Sequence, residues 1–121
     1  HSMDKIKRIL LAEDELLIAK VLRMQLEKRG FEVNSVTSAH DAESLANTWH
    51  PDLLILDVHL KNHTSGIEAG FNIRKSGVDC PIIFTTGNSY ESTLKEIESI
   101  KNVELLSKPV EFEYLMTFIH K

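Results

Sequence analysis

The chain has 121 residues, 42% hydrophobic and 26% charged, an ordinary globular composition that excludes a disordered chain. Net charge is −4, from 14 Lys+Arg against 18 Asp+Glu, so the basic stripe expected of a nucleic-acid binder is missing. The lone cysteine, Cys80, excludes an internal disulfide framework and fits a reducing, cytoplasmic setting, and no apolar run approaches the roughly 20 residues of a membrane span.

His1 and Ser2 before Met3 read as the scar of a cleaved tag, which leaves 3–121 as a single domain with no linker, repeat or signal peptide. Ile6 to Ala12 reads as a first strand, and Glu15 to Arg29 as a helix with Ile18, Leu22 and Leu26 four apart on one face. Gly30, after Lys28-Arg29, marks the end of that helix. Phe31 to Val36 alternates as a second strand, and Ser38 opens a stretch resembling a capping box, with Asp41 at its fourth position. The helix that follows carries Ala42, Leu45, Ala46 and Trp49 on one face. It ends at His50-Pro51, because a residue before proline disfavours helix. Asp52-Leu53-Leu54-Ile55-Leu56-Asp57 is a continuous apolar run closing on a carboxylate, the pattern of a strand buried on both faces. A polar loop, Lys61 to Ser65, leads to Gly66 and a helix through Arg74. Pro81 to Thr85 forms a fourth strand, and Gly87-Asn88-Ser89 starts a fourth helix reaching about Ile100. Val103 to Leu106 is a short fifth strand, and Lys108-Pro109 precedes a last helix with Phe112, Leu115, Met116 and Ile119 along one side. Five strands alternating with five helices predict an α/β fold, a doubly wound parallel sheet covered on both faces.

In such a sheet ligands bind beyond the carboxyl ends of the strands. Those ends present Glu13-Asp14 after strand one, Asp57 after strand three, Thr85-Thr86-Gly87 after strand four and Ser107-Lys108-Pro109 after strand five. Three crowded carboxylates repel unless a cation neutralises them, and a hard divalent ion such as Mg²⁺ binds through carboxylates, a carbonyl and waters. Lys108 adds a positive charge suited to bridging a carboxylate and a phosphoryl oxygen. The Thr86 hydroxyl and neighbouring backbone N–H groups offer donors to another. Charge neutralisation and positioning are what in-line phosphoryl transfer needs. The nucleophile is then a carboxylate, giving an aspartyl phosphate, and Asp57 is the candidate because it stands alone at the end of the central strand.

Glu13-Asp14, Asp57, Thr86 and Lys108-Pro109, in that order on those strand ends, resemble the response-regulator receiver domains of two-component signalling, over about Ile6 to Ile119. The resemblance implies a (βα)5, flavodoxin-like sheet in the order 2-1-3-4-5. It implies Asp57 as phosphoacceptor and Glu13 with Asp14 as the acidic pair holding Mg²⁺, for which Mn²⁺ substitutes, with Asp57 and the His59 backbone carbonyl as further ligands. Thr86 resembles the switch hydroxyl, Gly87 lies beside it in the phosphoryl-binding loop, and Lys108 resembles the family's lysine. The implied function is a phosphorylation-controlled switch in a cytoplasmic phosphorelay. Its partner is a histidine kinase or histidine-phosphotransfer protein, and a homodimer forms through the face of helix 4, strand 5 and helix 5. Such a domain catalyses only its own phosphorylation and dephosphorylation and is not otherwise an enzyme.

Three positions depart from the family's common pattern. Lys61 stands where many receivers have proline, and Gly66 comes one residue later than usual. The longer loop nevertheless resembles a receiver subgroup with Asp-x-x-Leu followed by Gly-Ile-Glu-Ala, here Asp57 to Leu60 and Gly66 to Ala69. Leu105 occupies the switch-aromatic position and offers no ring for the usual rotation readout.

His40, His50, His59, His63 and His120 read as surface side chains, since no helical face gathers them and no cysteine cluster accompanies them. Cys80 reads as a buried small hydrophobe and Trp49 as core. Leu17, Val21 and Met24 form a second stripe on the first helix, either a wide core face or the edge of a surface that docks a helical phosphotransfer partner. Tyr114 and Phe118 are candidates for a dimer or output face. The alternative function is a pseudo-receiver, a phosphorylation-independent interaction module. A flavodoxin-like cofactor enzyme needs a neutral phosphate loop after strand one, where Glu13-Asp14-Glu15 stands. A haloacid-type phosphatase wants a second aspartate at His59.

Overall fold

The computed structural model describes residues 6–88 and 90–120. The tag reading of His1 and Ser2, the Met3 domain start, the place of Ser89 in the fourth helix and the terminal Lys121 lie outside the described residues. In chain order the elements are β1 (Arg8–Ala12), α1 (Leu16–Lys28), β2 (Glu32–Val36), α2 (Ala39–Thr48), β3 (Leu53–Asp57), a hairpin of β4 (His59–Leu60) and β5 (Thr64–Ser65), α3 (Gly66–Lys75), β6 (Ile82–Thr86), α4 (Tyr90–Ile97), β7 (Val103–Ser107) and α5 (Phe112–Ile119). The main sheet is parallel throughout, in the order β2-β1-β3-β6-β7. With the short hairpin set aside, this is the doubly wound 2-1-3-4-5 arrangement.

Alternation along each strand divides the core between two layers. Leu10, Leu54, Leu56, Ile82, Phe84 and Leu105 face α2, α3 and α4, meeting Ala42, Ala46, Ala69, Ile73 and Ile97. Ile9, Leu11, Leu53, Ile55, Ile83 and Leu106 face α1 and α5, meeting Ala19, Leu26, Leu115, Met116 and Ile119. β3 is buried at every residue, as a strand covered on both faces must be. Ser38 caps α2 as its sequence suggested, its Oγ accepting the Asp41 N–H at 3.1 Å.

Three elements differ from the sequence reading. Ile18 is 44% exposed, and the buried line of α1 runs through Ala19, Leu22 and Leu26 instead. The small Ala19 lies against the core layer, and its neighbour Ile18 stands at the flank. α4 stops at Ile97 rather than near Ile100; Ile100 enters the core from the following turn, its N–H donating to the Ile97 carbonyl at 2.9 Å. The expected polar loop is a hairpin in which His59 pairs with Ser65 and Leu60 with Thr64, around a tight turn holding Asn62 and His63 at φ of 62° and 57°. Lys61 N–H donates to the Thr37 carbonyl at 3.0 Å and ties this hairpin to the β2–α2 connection.

Gly66 fixes where the hairpin ends. Its N–H donates to the Val58 carbonyl at 2.9 Å, and a Cβ there would lie 2.0 Å from the Asp57 carbonyl oxygen. Only glycine lets α3 begin this close to the end of β3. Ser65 then caps α3 by accepting the Ile67 and Glu68 N–H groups at 3.1 and 3.2 Å.

Candidate functional site

The carboxyl ends of β1, β3, β6 and β7 open into a cleft of about 870 Å³. It is lined by Glu13, Asp14, Asp57, His59, Gly87 and Lys108, and on the α1 side by Leu17, Ile18 and Val21. The five parallel strands therefore bring every sequence-predicted polar residue to one rim except Thr86, which turns the other way.

Asp57 ends β3 and is 3% exposed. Its Oδ2 meets the Lys108 Nζ at 2.6 Å and its Oδ1 accepts the His59 N–H at 3.0 Å. The same ammonium lies 3.0 Å from Glu13 Oε1 and 3.8 Å from Glu15 Oε2, so one cation serves three carboxylates. The second Glu13 oxygen accepts the Glu15 N–H at 3.0 Å. Burial pushes the Glu13 carboxyl above its usual range, and the Asp57 charge adds to the rise, against the hydrogen bonds from Glu15 and Lys108. For Lys108, burial alone would pull the value down, but the hydrogen bonds to Asp57 and Glu13 outweigh it and hold the ammonium above the ordinary lysine range. The Lys108 shift reports its pairing with the two carboxylates, and the Glu13 shift reports chiefly its burial.

Carboxylate oxygens of Glu13, Asp14 and Asp57 all lie within 4.8 Å of one another, with Asp14 exposed and the other two buried. Hard oxygen donors at this spacing, with an exposed side open to water, fit a small divalent ion that keeps part of its hydration. Among the described residues no other three His, Cys, Asp or Glu side chains gather in this way.

Thr86 is buried at the end of β6, on the side of the sheet that faces α4. Its hydroxyl accepts the Asn88 N–H at 3.1 Å and lies 3.5 Å from the Thr93 hydroxyl. Thr85 and Gly87, on either side of it, line the cleft, and Thr86 does not. The Asn88 side-chain amide reaches across to His59 Nε2 and links the loop after β6 to the one after β3. Leu105 is buried opposite Phe84 in the β6–β7 register. The sequence reading placed Thr85 on the rim without a role and gave Asn88 and Thr93 no part in the site. Thr93 alone carried a signal, a hydroxyl four and seven residues before Ile97 and Ile100 on the inner stripe of an amphipathic helix.

This sheet, with an acidic cluster and a half-buried lysine on its carboxyl edge, is the architecture of a receiver domain. The family described as the response regulator receiver domain matches residues 9–120, and the chain belongs to that family. It is 31% identical over 110 residues to the luminescence regulatory protein LuxO of Vibrio campbellii, an alignment covering 91% of this chain and 24% of that protein. The chain thus spans about a quarter of the length of that curated relative. Among solved structures it is similar to chemotaxis protein CheY4 of Vibrio cholerae, at 22% identity with a TM-score of 0.85 over 94% of this chain and 96% of that one. It is also similar to a response regulator of Burkholderia pseudomallei, solved with a phosphorylated aspartic acid, a calcium ion and citrate. That similarity is 25% identity at a TM-score of 0.84, over 92% of this chain and 65% of that one.

Proposed function

We propose that residues 3–121 act as one phosphorylation-controlled switch of a two-component phosphorelay, with Asp57 as the phosphoacceptor. The observation that carries this reading is the 2.6 Å pairing of Lys108 with the buried Asp57 carboxylate beside Glu13 and Asp14. An Asp57 oxygen attacks the phosphorus of a phosphohistidine, the P–N bond breaks, and the imidazole leaves with the bonding electron pair. Lys108 then exchanges its carboxylate partner for a phosphoryl oxygen. Glu13, Asp14, Asp57 and the His59 backbone carbonyl would hold Mg²⁺ or Mn²⁺, which when bound would supply positive charge to neutralise the group in transfer. The phosphorylated aspartic acid and cation of the Burkholderia relative support the same chemistry here.

The phosphodonor is a histidine kinase or histidine-phosphotransfer protein, and the domain works in the cytoplasm. Leu17, Ile18 and Val21, exposed along one wall of the cleft, supply an apolar ledge for a helical donor. The homodimer reading rests on α4, β7 and α5, where Tyr90, Leu94 and Tyr114 are exposed. The domain's own chemistry is limited to gaining and losing its phosphoryl group. Leu105 is the one feature that favours the alternative, a phosphorylation-independent interaction module; the intact Asp57–Lys108 pair weighs against it.

With Mg²⁺ and acetyl phosphate, mass spectrometry should find one acid-stable, base-labile phosphoryl group, absent from Asp57→Asn. Stoichiometric labelling that survives Asp57→Asn overturns the assignment. A wild-type chain that takes no label selects the interaction module.

A further inference from the structure

The inner face of α4 carries a polar residue where the core calls for an apolar one. Thr93 is 4% exposed and sits on the same face as the buried Ile97, while Tyr90 and Leu94 point outward. A buried hydroxyl is costly unless it is hydrogen-bonded. The Thr93 hydroxyl faces that of Thr86, which is itself 1% exposed. Their 3.5 Å separation is long for a hydroxyl pair, so the contact is a weak one that a stronger acceptor can displace. The Thr86 oxygen also accepts the Asn88 N–H, and both of its partners lie away from Asp57, in the loop after β6 and on α4.

We propose that Thr93 is a positioning residue of the switch: its hydroxyl holds the Thr86 hydroxyl against α4, away from Asp57, in the unphosphorylated chain. The inference rests on the reading of Asp57 as phosphoacceptor. A phosphoryl oxygen on Asp57 offers Thr86 a charge-assisted bond, stronger than one between neutral hydroxyls. Taking it swings the Thr86 O–H toward the cleft, which breaks the contact with Thr93 and withdraws the acceptor from the Asn88 N–H. Helix α4 and the loop before it are then released together. The link runs directly from hydroxyl to helix, so it requires no aromatic ring at Leu105.

The test is beryllofluoride affinity in the presence of Mg²⁺, followed by amide chemical shifts around Asp57. Thr93→Val removes the hydroxyl and keeps the shape, and with the hydroxyl goes the contact that holds Thr86 outward. Beryllofluoride should bind it about twofold more tightly, the change expected from losing one weak hydrogen bond. Thr93→Ser, which restores the hydroxyl, should bind as the wild type does. Should Thr93→Val fail to fold, Thr93→Ala lacks the same hydroxyl and carries the same expectation. Unchanged or weaker binding in the folded Val or Ala variant overturns the proposal, as does Thr93→Ser behaving like Thr93→Val. A wild-type chain that binds no beryllofluoride at Asp57 instead refutes the phosphoacceptor reading, and the role of Thr93 falls with it.

Discussion

Lys108 and an incoming divalent ion want the same oxygens. The lysine lies within 3.0 Å of both Glu13 and Asp57, two of the three carboxylates that gather at the metal-sized spacing. Removing a carboxylate takes away a ligand and a negative charge together, whereas removing the lysine takes away a competing cation. Glu13→Gln and Asp14→Asn are therefore expected to weaken Mg²⁺ binding and slow phosphorylation by acetyl phosphate. Lys108→Ala should leave Mg²⁺ affinity at least as high as in the wild type while phosphorylation slows. Isothermal titration reads this directly, and a collapse of Mg²⁺ affinity on losing Lys108 would contradict the division of roles. These residues were legible in the sequence because each follows an apolar run, and parallel strands deliver the ends of such runs to one rim. Thr93 was harder to read, its spacing to Ile97 and Ile100 being the one signal it carried. A threonine in a short helix reads as surface until packing turns it inward, and Asn88 meets His59 only through the fold.

Helix α1 shows how far periodicity goes at the level of an element. Its length follows from spacing and from Gly30, but two apolar stripes compete for the core, and spacing alone does not choose between them. Packing chooses the line of Ala19, Leu22 and Leu26, leaving Leu17 74% and Val21 49% exposed. The two faces should respond differently to truncation. Leu26→Ala, at a fully buried position, is expected to cost about 2–5 kcal/mol. Leu17→Ser should stay within about 0.5 kcal/mol of the wild type by urea denaturation. Leu17→Ser should still slow transfer from a phosphohistidine protein while sparing reaction with acetyl phosphate. Equal slowing with both donors would assign Leu17 to the chemistry rather than to docking. The β4–β5 hairpin escaped the sequence reading for a different reason. Its strands are two residues each, and its turn depends on Asn62 and His63 at positive φ, which hydrophobic periodicity does not encode.

Across the whole molecule, the question is how an event at Asp57 reaches the far side of the sheet. Receivers commonly couple a switch hydroxyl to an aromatic ring on the last strand, and here that ring is replaced by Leu105, buried against the core opposite Phe84. A buried leucine has no hydroxyl to expose and no plane to rotate, so its two-state energy difference is small. The Thr86 hydroxyl, in contrast, meets neutral groups on the α4 side and, on the proposed reading, would gain a charged phosphoryl oxygen on the Asp57 side. A bond to a charged acceptor contributes about 1.5–3 kcal/mol, which biases a two-state loop about tenfold or more. Thr86→Ala should leave Asp57 able to bind beryllofluoride yet largely abolish the accompanying amide shifts in α4. Leu105→Ala should keep most of those shifts, although the cavity it leaves lowers stability by about 2–5 kcal/mol. A full α4 response in Thr86→Ala, or none in a folded Leu105→Ala, would mean that the signal crosses the sheet through strand β7 rather than through the hydroxyl of β6.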